Sequence, residues 1–191
     1  MERNDSFNIQ KLRWTKGESE CFNGMKIQHA LANHSFTGLQ CAIGVDPGLN
    51  WGMAFVLGQN HLPFGKDLFT LTAYWGKIPH EEVEQNYFHK IRDFVKMWLP
   101  PKVPAKVVMV EGAAHGERFG QTQLERCRLG FYEAFRELGY NVEYCPPLTC
   151  RKAVFGNGRV KGKEVWLDCN GNASDAAVLA LFGSGYYYDK A

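Results

Sequence analysis

The sequence predicts an α/β domain on a mixed five-stranded sheet, three antiparallel strands and then two parallel ones, flanked by helices. Three observations carry this. Apolar runs joined by turn residues recur between residues 41 and 75. Two long stretches with helical apolar spacing follow, near 80–99 and 118–138. Between them lies "KVVMVE" (106–111), a short continuous apolar run suited to a strand covered on both faces.

The elements follow in order. "CAIGV" (41–45) and "WGMAFVLG" (51–58) are strands linked by Asp46-Pro47-Gly48-Leu49-Asn50, a turn-forming series. "LFTLTAYW" (68–75) is the third. The first helix places Val83, Tyr87, Ile91, Phe94, Val95 and Trp98 on one stripe, and Pro100-Pro101 stops it. The second long helix carries Leu124, Cys127, Phe131, Phe135 and Leu138, and ends at Gly139. "NVEYC" (141–145) is the fifth strand. Short helices are expected near 148–155 and 162–168, on either side of a Gly/basic loop, and "SDAAVLALFG" (174–183) is the last helix. Residues 1–39 are polar and lack strong periodicity. They read as an N-terminal extension, partly ordered or helical around "MKIQHALANH", and residues 40–191 as the domain proper.

Composition narrows the function classes. Hydrophobic residues make up 45%, enough for a core, and the net charge is only +2, so any nucleic-acid surface must be local. No apolar run approaches the ~18 residues of a membrane span, and the N-terminus has no signal-peptide core. The six cysteines show no C-x-x-C pair, which is read as reduced thiols in a cytoplasmic protein. Cys21, His29, His34 and Cys41 match no common zinc-finger spacing.

Three acids stand where chemistry gathers in open α/β sheets, at the carboxyl ends of strands. Asp46 ends the first predicted strand, Glu111 ends "VVMVE", and Asp175 opens the last helix three residues after Asn172. Each has an ordinary structural role when taken singly. Asp46 forms a turn, Glu111 is a solvated strand end, and Asp175 complements a helix dipole, with Ser174 or Asn172 as cap. Taken together at one sheet edge, they would repel one another. A hard divalent cation, Mg²⁺ or Mn²⁺, would relieve that repulsion. Two such ions about 3.5–4 Å apart would activate water against a phosphodiester.

"IGVDPGLNWGMAFV", "VVMVEGAAHG", "KAVFGNGRVKGKEV" and "NASDAAVLALFG" together resemble the RuvC-type Holliday junction resolvases of the RNase H-like nuclease superfamily. The resemblance covers roughly residues 41–184. It implies an RNase H-like fold and a homodimer that binds branched DNA. It further implies symmetric paired nicking of a four-way junction, with Mg²⁺ (or Mn²⁺) in each subunit. Asp46, Glu111 and Asp175 match the family's metal-binding acids. Asn172 stands where the family usually has Asp and sometimes His, so a neutral carbonyl oxygen replaces a charge. Two further departures are a shortened segment before Asp175 and the extension before residue 40. Partner helicases are not legible in the chain.

Positive charge is indeed local. Arg151, Lys152, Arg159, Lys161 and Lys163 fall in a stretch, 151–163, that contains no acid. They surround "FGNGR", whose glycines would let backbone N–H groups approach phosphates. The resemblance implies a transition-state role for Lys161 or Lys163; the plain alternative is a solvated basic loop. After Glu111, His115, Arg118 and Phe119 offer charge and a stacking surface, with Arg126 further along the helix. For Phe119 the alternative is packing in the helix stripe. Two functional alternatives stay open: a related nuclease for other branched DNA or hybrids, and a non-catalytic junction-binding protein with a decayed metal site.

Overall fold

A computed structural model describes residues 9–15, 18–25, 39–59, 69–77, 89, 91–93, 105–113, 121–165 and 170–185. Its strands are β1 (Ile9–Thr15), β2 (Glu18–Met25), β3 (Leu39–Asp46), β4 (Asn50–Gln59), β5 (Phe69–Lys77), β6 (Ala105–Glu111) and β7 (Val142–Cys145). Its helices are α1 (Gln121–Glu137), α2 (Pro147–Phe155), α3 (Gly162–Val165) and α4 (Gly171–Gly183). Most of the helix expected at 80–99 lies outside the described residues, though 89 and 91–93 are helical. No helix among the described residues is long and apolar enough to cross a membrane.

The strands form one sheet in the order β2-β1-β5-β4-β3-β6-β7. Its β5-β4-β3-β6-β7 portion is the expected five-stranded mixed sheet, antiparallel through β5, β4 and β3 and parallel through β3, β6 and β7. The extension adds to it: β1 and β2 form an antiparallel hairpin, and β1 pairs with β5. The sequence reads this extension as partly ordered or helical around "MKIQHALANH"; its described residues are strands, and most of that patch lies outside the described residues. The hairpin gives the backbone groups along β5 a partner that an edge strand would lack.

Alternation along the central strands sorts side chains onto two faces. Ile43, Val45, Met53, Phe55, Val108 and Val110 pack with Phe131, Ala134 and Phe135 of α1. Ala42, Ala54, Val56, Val107 and Met109 pack with α4 on the other face. The same parity sends Asp46 and Glu111 toward the α4 face. Val45 pairs with Val110 in the parallel β3–β6 ladder, so the two acids are the next residues along. Neighbouring strands are about 4.8 Å apart.

Helix α4 is buried along most of its length, from Ala173 through Leu181, with the partly exposed Asp175 as the exception. It lies directly on backbone. A Cβ added to Gly44 would stand 2.0 Å from the Ala176 carbonyl oxygen, and one added to Gly52 would stand 2.0 Å from that of Asn172. Only glycine permits this approach. The N-cap is Asn170, whose side-chain oxygen accepts from the Asn172 N–H at 2.9 Å. The helix therefore begins earlier than expected: neither Ser174 nor Asn172 is the cap, and Asp175 lies in the second turn. Ser174 instead donates its hydroxyl to the Gly171 carbonyl at 2.8 Å.

Candidate active site

Asp46, at the end of β3, is partly buried. Burial holds its carboxyl well above the usual aspartate range, and the charges of Glu111 and then Asp175 push it further up. The guanidinium groups of Arg128 and Arg151 pull it down by less. Three anions and two cations thus share one field at the end of β3 and β6. Gly52, the antiparallel partner of Asp46, underlies the first turn of α4. That contact sets Asn172 beside Asp46. Both line a cavity of about 350 Å³ with the β3–β4 turn and with Leu124 and Cys127 of α1.

Glu111 is anchored through its chain neighbours. It pairs with Cys145 in the β6–β7 ladder, and the Gly112 N–H donates to the Cys145 carbonyl at 2.8 Å. Asp175 is held from the side: Arg151 Nη2 donates to its Oδ1 at 2.9 Å. Arg151 reaches it because α2 packs on the same face of the sheet as α4, through Cys150 and Val154.

Among the described residues, no group of three His, Cys, Asp or Glu side chains stands ready to hold a metal ion. The acids share an edge and a field, but Asp175 is turned onto a guanidinium. Donor chemistry still fits a hard cation, since Asp46, Glu111, Asp175 and Asn172 all offer oxygen. The repulsion that Asp46 suffers is what such a cation would relieve.

The basic residues divide. Lys152, Arg159, Lys161 and Arg126 are exposed, whereas Arg151 is withdrawn into the acid cluster. Lys161 precedes Gly162, where an added Cβ would stand 2.6 Å from the Ser174 carbonyl oxygen, so α3 abuts the turn of α4 that carries Asp175. The side chain of Lys163, and all of His115, Arg118 and Phe119, lie outside the described residues. The loop between α2 and α3 begins at Gly156, the left-handed cap of α2 (φ 73°). Its amides do not all face outward: the Arg159 N–H donates to the Asn157 side chain at 3.0 Å and the Val160 N–H to the Asn157 carbonyl.

Two features differ from the sequence reading. The sequence offers Arg128, with Arg118 and Arg126, as a groove-lining cation partly offset by Glu125; in the structure Arg128 is buried, forms an ion pair with Glu125 and acts electrostatically on Asp46. An arginine inside a buried helix stripe is the signal that could have revealed it. Cys145 and Cys150, expected as reduced thiols, are joined in a disulfide, with Cα atoms 6.6 Å apart. Pro146-Pro147 turns the chain so that the first turn of α2 returns to the end of β7; Cys127 is buried and takes no part in that disulfide.

No family model and no curated protein sequence matches the chain. Solved structures do. The Thermus thermophilus RuvC structure superposes with a TM-score of 0.60 at 20% identity, covering 74% of this chain and 91% of that one. T. thermophilus RuvC in complex with a Holliday junction substrate superposes with a TM-score of 0.54 at 16% identity, covering 74% and 90%. With its mixed sheet, its helix laid on glycines and its acids at one strand edge, the chain has the RuvC-like fold.

Proposed function

We propose that this chain is a metal-dependent, structure-selective endodeoxyribonuclease that resolves four-way DNA junctions by paired nicking. The observation that carries the reading is the electrostatic coupling of Asp46 to Glu111 and Asp175, at the sheet edge of a RuvC-like fold. The similarity to a RuvC solved with a Holliday junction supports the choice of substrate.

Asp46, Glu111 and Asp175 would hold divalent cations, Mg²⁺ or Mn²⁺, with Asn172 offering a neutral oxygen. Bound there, such ions supply Lewis-acid activation and charge stabilisation for phosphodiester hydrolysis. The protein's own part is placement. β3 and β6 fix two acids side by side, and α4 brings the third from above the sheet. Lys152, Arg159 and Lys161 present exposed charge that would hold the phosphate backbone, in a salt-dependent way. Lys161 or Lys163 would face the scissile phosphate; Lys161 adjoins the contact of α3 with α4. His115, Arg118, Phe119 and Arg126 would meet the junction centre. A homodimer with two-fold symmetry suits a pair of symmetric cuts.

A second reading has its own support. Asn172 and the Arg151–Asp175 pair both leave the acid site short of anionic ligands, as in a protein that binds junctions without cutting them. Synthetic four-way junction, flap and RNA–DNA hybrid substrates, incubated with Mg²⁺ or Mn²⁺, separate the readings. Paired nicks confined to the junction are expected. Equal cutting of all three rejects the resolvase assignment, and tight junction binding without nicks selects the second reading.

A further inference from the structure

We propose that Arg151 is a built-in counter-ion of Asp175, which a divalent cation must displace before the acid site closes. The inference rests on the metal-dependent reading above and adds a positioning residue to it.

The Arg151–Asp175 pair is 2.9 Å long and links residues 24 apart in sequence. Neither side chain is well exposed, at 16% and 25%. Water therefore screens the pair less than it would a surface ion pair. Its neighbours along the chain behave otherwise: Lys152 and Arg159 stand in solvent. Among the described members of this basic series, Arg151 is the one that turns inward, onto an acid whose charge acts on Asp46. A guanidinium has one charge and a fixed fork of donors. It can neutralise Asp175 but cannot gather Asp46 and Glu111 around itself as a dication would. Among the described residues no three-acid group stands ready for a metal ion, in keeping with the pairing of Asp175 to Arg151. When a cation takes the Asp175 oxygen, the arginine is released at the edge of the site. Lys152, next in the chain, and Arg159 and Lys161 in the loop that follows are exposed, so the freed charge would add to a basic surface able to meet phosphate.

The test is calorimetric titration of Mn²⁺ into the full-length protein, its Arg151→Gln variant and its Lys152→Gln variant. Lys152→Gln removes the same charge from the next position and so measures the through-space effect alone. Arg151→Gln is expected to bind Mn²⁺ about tenfold more tightly than wild type, with Lys152→Gln changed by less than about twofold. In parallel, the Arg151 side-chain N–H signal in a ¹⁵N spectrum is expected to shift on addition of Mg²⁺. Equal tightening in both variants, or an unmoved Arg151 signal with metal bound, overturns displacement while leaving the metal site intact. Weaker binding by Arg151→Gln also overturns it. No heat of binding in any of the three proteins overturns both this inference and the metal-dependent reading.

Discussion

Asp46→Asn is expected to abolish junction nicking and at the same time to stabilise the metal-free protein. The loss should be about 10³-fold or more, since a metal ligand contributes to several kcal/mol of transition-state stabilisation. The gain has a separate cause. Folding removes the Asp46 carboxylate from water and sets it against Glu111 and Asp175, and these effects outweigh Arg128 and Arg151. Its proton affinity is therefore higher in the folded protein than in the unfolded chain. The contribution of such a group to stability is fully present below the unfolded value, about 3.9. It is lost as the pH rises from there through the folded value. The variant cannot ionise at this position. Its advantage should be small near pH 4, grow with pH and then level off, reaching about 0.5–2 kcal/mol, typical of relieving a strained functional site. Thermal melts of both proteins without metal, from pH 4 to pH 8, measure it. A variant less stable than wild type at pH 8 would contradict the electrostatics described for Asp46.

The second large effect concerns the seat of α4. Gly44→Ala would place a methyl group 2.0 Å from the Ala176 carbonyl oxygen and 2.4 Å from the Ala180 nitrogen. Both are backbone atoms of a buried helix and cannot swing aside, so the helix itself must move. Overpacking of this kind costs about 1–3 kcal/mol, and contact with backbone puts it at the upper end. A fall in melting temperature of about 6–12 °C is expected for a chain of this length. Moving α4 also moves Asp175 away from Asp46, so nicking should fall with stability. Gly171→Ala, on the same helix, supplies the contrast. A Cβ there meets nothing within 4 Å, so alanine should be neutral or stabilising by up to about 1 kcal/mol. Equal melting temperatures for the two variants would mean that α4 does not rest on β3 as described.

The strands and the positions of the acids were legible because local pattern determines them. Alternation in "CAIGV" and "WGMAFV", with a Pro-Gly turn between, is a short-range signal, and Asp46 falls at its end whatever surrounds it. The continuous run at 106–111 placed Glu111 in the same way. What escaped the sequence depends on contacts between distant segments. The β1–β2 hairpin has mixed polarity, and its pairing is completed by the edge of β5, which no window of residues 1–39 contains. The start of α4 was misplaced because Gly171 and Asn172 carry little helical signal; Asn170 and the glycine seats under the helix fix it. Arg151 looked like one of a solvated basic series. Its partner lies on another helix, and only the packing of α2 and α4 on a common face brings the two together. Arg128 likewise reads as a surface charge until α1 is laid against the sheet.

Titration of Mn²⁺ into wild type and into Asp46→Asn, Glu111→Gln and Asp175→Asn asks most directly whether the three acids act as one cation site. Each single substitution is expected to weaken binding at least about tenfold, because each removes one charged oxygen ligand from a shared ion. A substitution that leaves Mn²⁺ affinity at the wild-type level would remove that acid from the site and contradict the convergence of the three on a common metal.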